Sequence, residues 1–190
     1  MAILAACSAP AGQRPASAQA PAPTTTRGPA SPSASARASA AAPATLPDDI
    51  LFLTSDLGDV VGGGVITSLE YPDASFAIAP GSTPDRLRLT VRAPDEDWAL
   101  TFAPPLGQQL EVGSYDTAER VPSSFVAGLD VRGDGRGCSL GFGSFTIGAI
   151  AFDPGGSLST LDAAFDQACE YPDAPALHGT ITYRAPVPGA

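Results

Sequence analysis

Strict alternation of apolar and polar residues in one short stretch constrains how this chain folds. In residues 86–92, leucine and valine alternate with arginine and threonine, and residues 98–102 repeat the pattern with tryptophan, leucine and phenylalanine. A period of two is typical of a half-buried strand in an antiparallel sheet, because successive side chains point to opposite faces. The turn residues 93–96 separate the two runs, so the sequence predicts a β-hairpin over residues 86–103.

Further apolar runs, separated by turns rich in glycine, proline and aspartate, predict more strands. They cover residues 50–54, 60–69, 75–79, 125–131, 144–152 and 180–184. Residues 158–169 fit a strand face and also a helix face. We favour a strand, because Pro154-Gly155-Gly156 would then close a hairpin with residues 144–152. Many short strands at this spacing predict an all-β fold, an antiparallel β-sandwich or jelly roll.

The chain before these strands has a different composition. Of the 39 residues from 8 to 46, 31 are Ala, Pro, Ser or Thr, and none is acidic or aromatic. Such a segment buries too little apolar surface to offset the entropy lost on ordering, so we predict a disordered linker. The remaining chain has the length of one domain, which we place at residues 47–185, followed by a C-terminal tail at residues 186–190.

The first seven residues predict where the protein is located. Leu4-Ala5-Ala6-Cys7 matches a bacterial lipobox, in which the signal peptide is cut before the cysteine and Cys7 is acylated. Only six residues precede Cys7 and none is Lys or Arg, so residues 1–7 are a partial lipoprotein signal. The alternative is an accidental match in an alanine-rich stretch. The favoured interpretation is an extracytoplasmic lipoprotein of the bacterial cell envelope, anchored in the membrane through acylated Cys7.

The other two cysteines fit the predicted hairpin. A hairpin that turns at residues 154–155 places Cys138 and Cys169 nearly opposite each other at its open end. In an oxidising compartment such a pair forms a disulfide, which should add about 3.7 kcal/mol of stability through the loop that it closes. The alternative is two free, buried thiols.

Charge is distributed unevenly along the chain. The segment before residue 47 contains three arginines and no acid, so the rest carries seven arginines against 20 acids, a net charge of −13. A domain this acidic repels phosphate backbones, which argues against nucleic acid as a partner.

Five segments follow one another in a recognisable order. They are SDLGDVVGGG at 55–64, DWALTFAP at 97–104, GRGC at 135–138, GSFTI at 143–147 and FDQACE at 165–170. Together they resemble a largely uncharacterised, β-sandwich-like domain of secreted bacterial proteins, over roughly residues 50–184. The resemblance implies the fold, export and a bridge between Cys138 and Cys169, but no activity. Where a second aromatic beside Trp98 is expected this chain has Ala99, so the resemblance does not extend to an aromatic binding platform there.

Few residues of the sequence have the type and spacing of a metal-binding or catalytic site. We expect no cofactor, with one alternative: Asp56 and Asp59 flank a glycine-rich turn and offer hard oxygen ligands for Ca²⁺. The other interpretation of this turn is purely structural. Residues 130–135 resemble an EF-hand loop only superficially, since Arg132 stands where the third position needs an oxygen ligand. His178 is the only histidine, and we expect a structural or surface role for it.

The sequence alone therefore favours a non-catalytic extracellular domain that binds a glycan or another envelope component. This interpretation rests on fold class, because β-sandwiches serve many functions. One alternative is a hydrolase that uses acids such as Asp56, Asp59 or Asp130, and another is a purely structural surface domain. We assign no catalytic residue.

Overall fold

The computed structural model describes residues 49–185, and the predictions for Cys7, for the linker at residues 8–46 and for the tail at residues 186–190 lie outside this range. The described residues form ten strands and no helix. The strands are β1 Ile50–Ser55, β2 Ile66–Glu70, β3 Ser75–Ile78, β4 Leu87–Ala93, β5 Glu96–Ala103, β6 Gly113–Glu119, β7 Ala127–Gly133, β8 Gly141–Phe152, β9 Leu158–Cys169 and β10 Ala176–Arg184. The predicted all-β class is confirmed. Residues 49–185 accordingly offer no helix with the length and apolarity to span a membrane.

All ten strands belong to one sheet, in the order β2-β1-β10-β9-β8-β6-β7-β5-β4-β3. Neighbouring strands are antiparallel, except that β6 and β7 are parallel where they pair. The edge strands β2 and β3 are consecutive in the chain and only residues 71–74 join them, so the two ends of the sheet lie close together. The sheet is therefore near-barrel in form.

The prediction of a sandwich or jelly roll is not confirmed, and β6 is the physical reason. This strand pairs with β8 on one side and, at Ala118 and Glu119 only, with β7 on the other. It thereby joins five strands, β2-β1-β10-β9-β8, to four others, β7-β5-β4-β3. We call these groups the first and second halves of the sheet, and without β6 they would be two separate sheets.

Several predicted strands have different bounds. The hairpin at residues 86–103 is confirmed as β4 and β5, and residues 158–169 form the strand β9 in a hairpin with β8. The predicted strand at residues 60–69 is too long, because residues 57–64 are turns and β2 begins only at Ile66. The pattern missed β6 entirely, since its sequence GSYDTAE contains no large aliphatic residue.

The core lies inside the curl of the sheet, where the inward residues of both halves meet. The Phe102 ring of β5 forms T-shaped contacts with Phe145 from β8, with 5.3 Å between ring centroids, and with Phe165 from β9, at 6.1 Å. Tyr115 of β6 stacks on Phe145 at 4.4 Å. Such aromatic pairs add to the burial of their surface. These four rings form one aromatic cluster, the Phe102 cluster, which packs the second half of the sheet against the first.

The predicted disulfide is confirmed. Cys138 bonds Cys169, which is the last residue of β9 and lies opposite Gly141 at the start of β8. The bridge therefore closes the open end of the hairpin, as its predicted turn requires. At the other end the Asp153 carboxylate accepts hydrogen bonds from the backbone N–H groups of Gly155 and Ser157.

A buried glutamine amide connects β9 directly to β7. Gln167, whose side chain points into the core, is only 2% exposed. The Val131 N–H donates to Gln167 Oε1 at 2.7 Å, and Gln167 Nε2 donates to the Val131 carbonyl at 2.8 Å. The strand β6 pairs only with the first two residues of β7, so it does not reach Val131. The Gln167 amide supplies hydrogen bonds to the Val131 N–H and carbonyl in its place.

We expect Gln167→Leu to destabilise the domain by about 2–5 kcal/mol, because two buried backbone groups lose their partners. Urea unfolding with the disulfide intact would measure this loss. Gln109→Leu makes the same change at an exposed position and should alter stability by less than about 0.5 kcal/mol. Equal stability of the two variants would contradict the role assigned to Gln167.

Candidate functional site

The two aspartates predicted as calcium ligands have different surroundings. Asp59 is 4% exposed, and both of its carboxylate oxygens accept hydrogen bonds from the loop between β1 and β2. Ser55 Oγ and the Gly62 N–H donate to Oδ2, each at 2.7 Å, and the Val61 N–H donates to Oδ1 at 3.1 Å. These bonds organise the loop around the Asp59 carboxylate.

The side chain of Asp56 interacts with β10 and not with the carboxylate of Asp59. Its Oδ2 accepts a hydrogen bond from the Ala176 N–H at 3.1 Å and lies 3.6 Å from His178 Nε2. Within residues 49–185, no group of three or more His, Cys, Asp or Glu side chains is arranged to hold a metal ion. Calcium binding by Asp56 and Asp59 stays a prediction from the sequence, and the two carboxylates have separate hydrogen-bond partners.

The structure places His178 between two carboxylates. His178 Nδ1 lies 2.5 Å from Asp166 Oδ1, on the adjacent strand β9, while Nε2 faces Asp56. The register explains this contact, because His178 of β10 pairs with Asp166 on one side and with Thr54 of β1 on the other. Both ring nitrogens are therefore close to a negative charge.

This geometry stabilises the charged imidazole. The hydrogen bond to Asp166 is the largest effect and raises the pKa of His178 above its ordinary value. Burial opposes this rise, and the charges of Asp166 and Asp56 add to it. The backbone hydrogen bond from Ala176 lowers the pKa of Asp56, and the neighbouring His178 lowers it further. The three side chains thus form a bracket of one cation between two anions, which is partly open to solvent.

The bracket belongs to a broader outward face of β1, β10, β9 and β8. An open cavity of about 300 Å³ lies on it. Six of its eleven lining residues bear a hydroxyl or a charge, and the others are phenylalanine, alanine and glycine. We call this surface the His178 face and define it by Phe52, Thr54, Ser144, Thr146, Asp166, His178 and Thr180. Phe52 is 40% exposed, whereas the phenylalanines Phe145 and Phe165, which also line the cavity, are buried.

The hydroxyls of this face are available to a ligand. No hydrogen bond to another described residue involves the hydroxyl of Thr54, Ser144 or Thr180, whereas Thr146 contacts Ser114 at 3.3 Å. The face is rigid, because it lies on four consecutive hydrogen-bonded strands of the sheet. It presents fixed donors and acceptors around one apolar ring, which is the chemistry of a small polar binding site.

Sequence reasoning identified only part of this site. It singled out Asp56 for its glycine-rich turn but gave His178 no partner. The turn at residues 171–175 could have predicted the contact between His178 and Asp166, since an antiparallel hairpin centred there brings these two residues opposite each other. Asp130, another predicted acid, lies in the second half of the sheet, where Arg132 and Arg120 pair with it.

Comparisons with protein-family models, with curated proteins and with solved structures found no match for this chain. The resemblance to a domain of secreted bacterial proteins therefore stays an interpretation of the sequence motifs.

The bracket predicts that the folding stability of the domain depends on pH. Because the pKa of His178 is raised on folding, its stabilising contribution is fully present below about pH 6.5 and is lost as the pH rises through the folded-state pKa. Asp166→Asn should lower the pKa of His178, since it removes the largest cause of the rise. An NMR titration reads this directly, because the chain contains one histidine.

Asp173→Asn, at an exposed position in the turn between β9 and β10, serves as the matched control and should leave the pKa of His178 nearly unchanged. Asp56→Asn should lower it less than Asp166→Asn does. A His178 pKa that is the same with and without the Asp166 carboxylate would rule out the bracket.

Proposed function

We propose that the domain is a non-catalytic binding module of the bacterial cell envelope, held at the membrane by acylated Cys7, and that its His178 face binds a neutral glycan. One observation carries the proposal. A rigid, open face combines unpaired hydroxyls with a half-exposed aromatic ring on the strands β1, β10, β9 and β8.

The chemistry of the face supports a sugar as the ligand. Sugar hydroxyls donate and accept hydrogen bonds, and the Thr54, Ser144 and Thr180 hydroxyls and the Asp166 carboxylate are suitable partners. The apolar side of a sugar ring packs on an aromatic side chain, and Phe52 offers one next to these groups. An open cavity of about 300 Å³ has the size of a small-ligand site.

The environment of His178 supports binding rather than catalysis. A general base needs a free ring nitrogen within hydrogen-bond reach of the hydroxyl that it activates. Here Nδ1 is engaged by Asp166 and Nε2 faces Asp56, and neither nitrogen forms a hydrogen bond with Thr54 or Ser144. The hydrogen bond to Asp166 raises the pKa of His178, which favours the protonated ring.

The acids of the hydrolase alternative do not support it. Asp59 is buried with its oxygens occupied by loop donors, Asp56 is bound to β10, and Asp130 is paired with arginines in the other half of the sheet. Hydrolysis of a glycoside by paired carboxylates requires two of them on either side of one bond. These three have separate environments.

The first test is direct binding. We expect neutral oligosaccharides of glucose, mannose or N-acetylglucosamine to bind with a dissociation constant on the order of 1 mM, as suits a small open site. NMR titration should shift signals of His178 and Thr180. Phe52→Ala should weaken binding about tenfold, because the ring contact with the sugar is lost.

The matched control is Phe125→Ala, which removes an exposed phenylalanine outside the His178 face. It should leave the dissociation constant unchanged. The proposal would be abandoned if no oligosaccharide of the panel shifted these signals, or if the two phenylalanine variants bound equally well. Turnover of a bound oligosaccharide would favour the hydrolase alternative instead.

The anchoring part of the proposal has its own test in a bacterial host. Several acyl chains on one cysteine hold a protein firmly at a membrane, whereas the rest of this chain is acidic and would be repelled by anionic lipids. The natural product should therefore fractionate with membranes, and Cys7→Ser should move it to the soluble fraction. Mass spectrometry that finds Cys7 present without acyl chains would contradict anchoring.

A further inference from the structure

Two arginines of this domain lack the acidic partners that the others have. Residues 49–185 contain seven arginines and 19 acids, a net charge of −12. Five arginines form ion pairs: Arg92 with Asp97, Arg120 and Arg132 with Asp130, Arg136 with Asp134, and Arg184 with Asp162. Arg86 and Arg88 make no ion pair with any described residue, although acids outnumber arginines nearly threefold.

The sheet register explains why Arg88 stays unpaired. Arg88 of β4 pairs with Thr101 of β5, which in turn pairs with Asp130 of β7. Strands are about 4.8 Å apart, so the backbones of Arg88 and Asp130 are separated by about 10 Å. Asp130 is instead held by Arg132, with Nη2 2.8 Å from Oδ2, and by Arg120 at 3.8 Å.

These side chains line a cavity of about 290 Å³ on the outward face of β4, β5 and β7. Its charged lining comprises Arg86, Arg88, Arg132 and Asp130, which sum to a local charge of +2. Thr90 and Thr101 add hydroxyls between the arginines. A positive concavity is thus present on a strongly negative domain, on the half of the sheet that does not carry the His178 face.

We propose that this cavity binds the oxyanion of an acidic saccharide, with Arg86 and Arg88 contacting its carboxylate or phosphate group. Guanidinium groups match such oxyanions with two parallel hydrogen bonds each, and both arginines are exposed and free to turn toward a ligand. The Thr90 and Thr101 hydroxyls are placed to contact the sugar hydroxyls beside the anion. The site is independent of the glycan proposed for the His178 face.

A discrete acidic sugar fits this cavity better than an anionic membrane does. Basic clusters that bind membranes gain about 1 kcal/mol for each Lys or Arg near the surface, and the net charge of −12 opposes that attraction. Membrane surfaces also attract apolar side chains, and among the described residues no strongly exposed large apolar side chain comes from β4, β5 or β7. A single oxyanion interacts mainly with the local charge.

The test compares acidic and neutral saccharides. An oligosaccharide of galacturonate should bind with measurable affinity by NMR or calorimetry, its neutral galactose counterpart should bind at least tenfold more weakly, and added salt should weaken the acidic ligand. Arg86→Gln combined with Arg88→Gln should reduce the affinity at least tenfold. Arg88→Lys should reduce it less, since it keeps the charge but loses the two-pronged contact.

Arg92→Gln is the matched control, because it removes one positive charge from the same face of β4 but from an arginine that is paired with Asp97. It should leave binding unchanged, as should Phe52→Ala, which separates this site from the His178 face. The proposal would be overturned if Arg92→Gln weakened binding as much as the double variant, or if the double variant bound normally. Stronger binding to inorganic phosphate or to anionic lipid vesicles than to the acidic saccharide would also overturn it.

Discussion

The paired hydrogen bonds between the Gln167 amide and the Val131 backbone hold the second half of the sheet against the first. The strand β6 joins the two halves of the sheet but pairs with β7 at only two positions. Beyond that point β7 would carry unsatisfied backbone groups in a buried place, which is costly. The Gln167 side chain, 2% exposed, takes the place of a neighbouring strand, and the Phe102 cluster also joins the two halves. The surfaces on both halves depend on this fixed arrangement.

Alternation of side chains leaves the outward positions of these strands free for function. Leu53 and Leu177 point into the core, so Thr54 and His178 beside them point outward and align across the sheet. Gly179, next to His178, is buried against the core, where a Cβ atom would collide with the Phe165 ring. Side chains on such strands lose little further freedom when a ligand binds, which favours even weak polar contacts.

Sequence patterns could predict the parts of the fold that depend on neighbours in the chain. The period-two runs gave β4 and β5, and the turn at residues 154–156 gave the hairpin of β8 and β9 together with the disulfide. They could not predict β6, whose residues are small or polar and are defined by partners far along the chain. For the same reason two packed sheets were expected where one is present. The Gln167 contact also joins positions 36 residues apart, and nothing local marks it.

In the candidate site, too, the sequence indicated individual residues but could not predict the contacts between them. The glycine-rich turn singled out Asp56 and Asp59 as calcium ligands, which stays a prediction, and the hydrogen bonds that they make depend on tertiary contacts. Asp59 binds Ser55 and the loop backbone, and this fixes where the loop leaves β1. Asp56 is thereby positioned to accept the Ala176 N–H and to face His178. The buried carboxylate therefore acts on the His178 face indirectly, by holding the loop that completes the bracket, and replacing it would disturb the face without removing any group that a ligand touches.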